Sequence, residues 1–316
     1  MVLNTNVKTY DNIMLVEFLN IYIMKNIIND KANFFTFLES NKELERPLII
    51  SSPHSGTLLD RNLSAKRNND IYSFDSMQDM YVNEFSTGLD KFGFTVLQNN
   101  ISRVVIDLNR NINEIDPKTI KNLPSDIEIN LSDKVRAGIG LIAMKDASGN
   151  KIYNKNLDWS EVKNRINNYY LPWHNALKVA VNNLSRKFKK VLIIDMHSMP
   201  SETIYNNQLA DFVIGNNFGM SSSDTIQKIL SSVIKSYGYS VAINDPYPGG
   251  YITKNYSSID KNIQCIQLEI KKSLYMNEKN FSKNDNFDEF SLNLKQIILE
   301  FFNEFDFKVD IDYAAE

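Results

Sequence analysis

The stretch Lys190-Val191-Leu192-Ile193-Ile194-Asp195-Met196-His197-Ser198-Met199-Pro200 decides the architecture. Four aliphatic β-formers in succession, Val191 to Ile194, suit a central strand covered on both faces, the environment of parallel strands in α/β proteins. An Asp-x-His step closes the run, so Asp195 and His197 share one side of the strand. Open α/β sheets bind ligands beyond the carboxyl ends of their strands. A second run has the same form: Pro47-Leu48-Ile49-Ile50 leads into Ser51-Ser52-Pro53-His54-Ser55-Gly56. The chain contains three histidines, and two of them close apolar strands in this way.

Working outward, further strands are expected at Phe94–Leu97, Arg103–Leu108, Asp211–Gly215, Tyr239–Asn244 and Ile263–Ile270. A helix is expected over Ser76–Lys91, where Met77, Met80, Tyr81, Phe85 and Leu89 recur at spacings of three and four and Gly93 marks the stop. Others are expected over Trp159–Phe188, with Pro172 marking a break or the start of a second helix, over Ser222–Tyr237 between capping serines and Gly238, and over Phe287–Phe302. Residues 111–156 are weakly periodic around Gly138-Ile139-Gly140, and a connection of that length suits a functional cover. Strands alternate with helices without an internal repeat or linker. The fold class is therefore a single three-layer α/β domain with a mixed, mostly parallel sheet between helices. It spans 46–306, followed by a frayed tail at 307–316.

Residues 1–45 read as an N-terminal extension or a helix packed on the domain. Ile13–Ile28 is apolar, but Glu17, Asn20, Lys25 and Asn26 interrupt it, so it matches neither a membrane span nor a signal peptide. Translation starting at Met24 is the alternative reading.

In 316 residues with 23% charged side chains and a net charge of -3, no basic stripe is available to neutralise phosphates, so nucleic acid is not an expected partner. Nor is a membrane; the partner expected is a small molecule. The one cysteine, Cys265, lies in an apolar run and reads as a buried thiol of a reducing, cytoplasmic compartment.

His54 and His197 can each offer an imidazole nitrogen to zinc, whose catalytic sites take three protein ligands. On the residues alone the third ligand is open among Asp60, Asp75, Asp79, Asp195 and His174, and Asp195 equally suits holding an imidazole from behind. In Ile266-Gln267-Leu268-Glu269-Ile270, Glu269 and Gln267 share one face. A partly buried carboxylate there has the makings of a general base. Arg103 and Arg110 bracket Val104–Asn109, and guanidinium forks suit carboxylates. Asp245-Pro246-Tyr247-Pro248-Gly249-Gly250-Tyr251 is a turn suited to lining a pocket.

Seven motifs occur in order: Pro53-His54-Ser55-Gly56, Ser102–Arg110, Pro172-Trp173-His174, Asp195-Met196-His197-Ser198, Asp211–Gly215, Gly249-Gly250-Tyr251-Ile252 and Gln267-Leu268-Glu269. Together, over about 46–278, they resemble the N-formylglutamate amidohydrolase family. That resemblance implies a zinc-carboxypeptidase-like fold with one catalytic metal, Zn2+. It implies His54, Asp79 and His197 as metal ligands, with Asp79 borne on a helix, and Glu269 as the general base. By the same resemblance Asn109 and Arg110 grip a substrate carboxylate and Arg103 polarises the scissile carbonyl. His174, Gly250 and Tyr251 match family positions on the substrate side. Two departures stand out. Asn207-Gln208-Leu209-Ala210 replaces an arginine-bearing stretch, so weaker discrimination for acidic side chains is expected, and Cys265 replaces a frequent histidine. The implied activity is zinc-dependent release of formate or another small acyl group from an N-acyl amino acid, N-formyl-L-glutamate first. The alternatives are a carboxypeptidase-like hydrolase of short peptides or other acyl-amino acids, and an inactive binding protein of the same fold.

Overall fold

Three strands carry the site: β2 (Leu48–Ser52), β6 (Val191–Met199) and β9 (Ile263–Lys271), neighbours in parallel at the centre of a seven-stranded sheet. The computed structural model describes residues 34–40, 43–59, 74–203 and 207–312, with side chains described through Phe305. Residues 1–33 and Asp60 lie outside these; within the stretch 1–45 expected as an extension or packed helix, Phe35–Leu38 is instead a strand of the main sheet.

The sheet runs β1-β3-β2-β6-β9-β7-β8, where β1 is Phe35–Leu38, β3 Thr95–Asn99, β7 Phe212–Gly215 and β8 Val241–Ile243. β1 is antiparallel to β3, β7 is antiparallel to β9, and the other four pairings are parallel. A mixed, mostly parallel sheet is the expected one. A separate two-stranded ladder joins β4 (Ile120–Lys121) to β5 (Leu157–Asp158).

Alternation along the strands builds two cores. Leu48, Ile50, Leu192, Ile194, Ile266 and Leu268 face one layer, with α1 (Val82–Ser86), α5 (Asp224–Ser236) and α7 (Phe287–Asp312). Ile49, Val191, Ile193 and Cys265 face the other, with α3 (Trp159–Arg165), α4 (Leu171–Lys187) and much of segment 101–157. α5 starts as its sequence predicts, with the Ser223 side chain accepting from the Ile226 N–H.

Four elements differ from expectation. Arg103–Leu108 is not a strand: Val104, Val105 and Ile106 are all fully buried in consecutive turns, and Val104 N–H bonds the Ser102 hydroxyl. Periodicity cannot distinguish an apolar run of this kind from a strand. Ser76–Lys91 is not one helix. Turns precede α1, Tyr81 is left-handed at φ 68, and Gly88 and Gly93 at φ 89 and 91 bracket a separate 3-10 turn. Trp159–Lys187 has no break at Pro172; the proline stands in the first turn of α4, as the second-helix alternative has it. A π-helical turn at Ile166–Tyr170 widens the helix just ahead of the proline, which suits a ring that would crowd the carbonyl four residues back. α7 runs on to Asp312, past Phe302.

Ile194 is fully buried in the central strand, whereas Phe218 is 70% exposed. Ile194→Ala should lower unfolding free energy by roughly 2–5 kcal/mol, while Phe218→Ala should stay within about 0.5 kcal/mol of the parent. Urea titration of both variants checks the contrast.

Candidate active site

Across the three central strands the residues facing the α4 layer change character in rows. Ile49, Ile193 and Cys265 lie in one register line, Ser51, Asp195 and Gln267 in the next. His197 and Glu269 follow, paired on β6 and β9. The apolar row anchors the core, the second forms hydrogen bonds, and the third carries the reactive groups.

His54, just past β2, approaches His197 with ring centroids 4.8 Å apart. Asp79 sits between them: Oδ2 is 2.9 Å from His197 Nδ1 and 3.6 Å from His54 Nδ1. Each imidazole turns its Nε2 outward to another carboxylate, His54 to Asp107 at 2.6 Å and His197 to Asp195 at 2.9 Å. Carboxylates only accept, so both Nε2 atoms carry protons and both Nδ1 atoms point inward; by the same rule His197 Nδ1 donates to Asp79 Oδ2, a proton that a bound cation would replace. His54 Nδ1 is buried with no hydrogen-bond partner. The donor atoms of His54, Asp79 and His197 all lie within 4.8 Å of one another. Two imidazole nitrogens, one orphaned, and one carboxylate oxygen form a donor set that fits a divalent metal such as zinc.

The three groups also set one another's charge. Burial opposes ionisation of Asp79, but hydrogen bonds and charge from His197 and His54 outweigh it and hold the carboxyl well below its usual range. Burial likewise disfavours the His197 imidazolium, yet Asp195 and Asp79 hold its pKa well above normal.

Asp79 comes from a turn rather than a helix, a correction to the expectation. Its N–H bonds the His54 carbonyl at 3.0 Å. Buried Lys272 donates to the carbonyl of Gln78 at 2.8 Å and that of Ser76 at 3.4 Å, fixing this turn from β9's end. Asp75 lies earlier in the same turn, outside the cluster. Asp195 takes the supporting role: it accepts from Ser51 at 3.0 Å and holds His197.

Glu269 is buried beside the cluster. Burial first, then Asp79, lifts its carboxyl to about 7 against the opposing pull of His197 and Arg103. Arg103 stays partly open and pairs with Asp107 Oδ2 at 2.6 Å. Arg110 gives Nε to the Ile139 carbonyl at 3.0 Å and Nη1 to the Asn109 carbonyl at 2.9 Å, leaving Nη2 4.0 Å from Asp107. Segment 111–156 thus supports the arginine loop; Asp107 N–H also bonds the Leu141 carbonyl.

Four residues expected on the substrate side are engaged by the scaffold. The Asn109 amide donates to Asp195 Oδ2 at 3.2 Å and accepts from Ile252 N–H at 2.7 Å, so both its ends are committed. A Cβ on Gly250 would overlap the Asn109 amide, so glycine permits that approach. His174 is buried with Nε2 on the Leu108 carbonyl at 3.0 Å and Nδ1 on the Tyr256 hydroxyl at 2.8 Å. Tyr251, at the start of α6 (Tyr251–Tyr256), sits edge-on to His174, and its hydroxyl meets Tyr170. Tyr247 also feels the site: burial, then the charges of Glu269 and Asp79, push its phenol up to about 12. Sequence reasoning missed Tyr247, Asp107 and Lys272. The acid between two arginines was the available signal for Asp107; Lys272 follows another lysine and gave none.

The sequence profile of N-formylglutamate amidohydrolases matches residues 46–276. The chain belongs to the N-formylglutamate amidohydrolase family. An N-formylglutamate deformylase of Pseudomonas aeruginosa is 27% identical over 238 residues, 74% of this chain and 83% of that protein. One from Pseudomonas putida is 29% identical over 239 residues, 73% and 82% of the two chains. The crystal structure of N-formylglutamate amidohydrolase from Ralstonia eutropha JMP134 superposes with a TM-score of 0.80 at 28% identity, covering 86% of this chain and 98% of that one. No helix among the described residues is long and apolar enough to cross a membrane.

Burial lowers the His174 pKa from 6.5 to about 4. An imidazole depressed by folding contributes stability that is present above about pH 6.5 and lost as pH falls toward 4. Chemical denaturation across that window should show up to roughly 3 kcal/mol more loss in the parent than in His174→Gln.

Proposed function

We propose that this chain is a zinc-dependent amidohydrolase that releases formate from N-formyl amino acids, N-formyl-L-glutamate first. The observation that carries this reading is the convergence of His54 Nδ1, Asp79 and His197 Nδ1 beside buried Glu269. The family and its named deformylases supply the substrate class.

His54, Asp79 and His197 would hold a zinc ion, which would supply Lewis acidity to the scissile carbonyl and to the attacking water. Glu269 takes a proton from that water as its oxygen adds to the formyl carbon. Arg103 directs its free N–H groups at the carbonyl oxygen as negative charge develops there. Glu269 then gives the proton to the leaving nitrogen, the C–N bond breaks, and formate and the free amino acid result. A carboxyl near 7 exchanges protons in both directions at neutral pH. Arg110 presents its remaining N–H groups to the α-carboxylate.

Glu269→Gln should keep stoichiometric zinc and lose roughly 10²–10⁴-fold in kcat, whereas His54→Ala should lose the metal as well. Metal analysis beside a formate-release assay separates the two, and near-parental turnover in Glu269→Gln would remove its role as base.

Because planar guanidinium geometry matters more than charge alone, Arg110→Lys should fail to rescue binding. The loss should be roughly 2–5 kcal/mol in kcat/KM terms. Formyl derivatives of glutamate, glutamine and methionine should be compared in the same assay. Asn207–Ala210 contributes no cation, so discrimination for the acidic side chain should be weak. Zinc-loaded protein inactive on all three would favour a peptide or another acyl-amino acid as substrate.

A further inference from the structure

Gln267 lies two residues before Glu269 on β9, on the same face of the strand, and is 5% exposed. Its Nε2 donates to Glu269 Oε1 at 2.8 Å, while its own Oε1 is buried without a hydrogen-bond partner. The amide's orientation follows from chemistry. An ionised carboxylate only accepts, so the NH₂ end must face Glu269 and the carbonyl must face away.

Neither strand neighbour offers the carbonyl a side-chain donor. On β6 the partner is Asp195, an acceptor already engaged by Ser51, Asn109 and His197. On β7 the partner is Gly215, which has no side chain and is closely overlain by the backbone of Tyr247 and Pro248. A buried acceptor left without a donor is destabilising and calls for an explanation. The substrate class proposed above supplies one. At neutral pH an N-formyl amino acid with an aliphatic or acidic side chain offers acceptors at its carboxylates and formyl oxygen. Its only donor is the N–H of the scissile amide. That nitrogen must also come within reach of Glu269 to receive a proton, which brings its N–H beside Gln267.

We propose that Gln267 is a substrate-recognition residue: its Oε1 accepts the N–H of the amide being cleaved, so the site selects secondary over tertiary amides. The same side chain occupies Oε1 of Glu269, which leaves Oε2 for the proton transfers. This inference rests on the amidohydrolase reading.

The test compares zinc-loaded protein on N-formyl-L-glutamate and on N-formyl-N-methyl-L-glutamate, which lacks the N–H. The parent should prefer the secondary amide. Gln267→Met should lower kcat/KM on both compounds through the lost contact to Glu269, and by roughly 3- to 10-fold more on the secondary amide. An equal fall on both substrates would overturn the inference, because Gln267 would then act only through Glu269. Equal rates of the parent on both would overturn it without any variant, so misfolding of Gln267→Met cannot shield it. Formate released from neither compound by the parent overturns the amidohydrolase reading and this inference together; release from both at equal rates overturns this inference alone.

Discussion

Everything in the site depends on the strict two-residue period of three parallel strands in fixed register. Ile49, Ile193 and Cys265 bury one row, Ser51, Asp195 and Gln267 bond in the next, and His197 meets Glu269 beyond them. A slip of one residue in β6 would send His197 into the core below α5 and α7 and bring Met196 beside His54 and Asp79. The opposite face resists that slip, because Leu192, Ile194 and Met196 are fully buried there. Burying apolar side chains on one face therefore fixes the position of an imidazole on the other.

Asp107 extends that order into segments with no regular structure. One oxygen takes His54 Nε2 and the Asn109 N–H, and the other takes Arg103. A single carboxylate thus fixes the His54 ring, the backbone of the next turn and a cation at the site's edge. Burial alone would make its ionisation unfavourable, but Arg103 and His54 hold it well below its usual range. Removing any one partner would leave uncompensated charge in a desolvated place, which is costlier than never having built the network.

The central strands, the helix over Ser222–Tyr237 and the pairing of His54 with His197 were legible because aliphatic runs, serine caps and strand-end polar residues each have a local cause. Arg103–Leu108 misled because a fully buried turn and a fully buried strand have the same hydropathy. Ser76–Lys91 misled because helical spacing over Met77–Leu89 says nothing about a tether; the Asp79 N–H on the His54 carbonyl and Lys272 on Gln78 override propensity at long range. The scaffold roles of Asn109 and His174 were hidden for the same reason. Which groups saturate a side chain's hydrogen bonds is decided by residues 66 to 143 positions away.

Cys265, the chain's one thiol, lies in the apolar row directly beneath Gln267, fully buried between β6 and the backbone of Ser221. Burial, then the charge of Asp195, lifts its pKa well above the ordinary thiol value. Because the thiolate is the reacting form, the folded protein shields this sulfur from electrophiles both sterically and chemically. The sulfur is therefore a native clock: alkylation can proceed only during excursions that open the middle of the sheet, and its rate counts them.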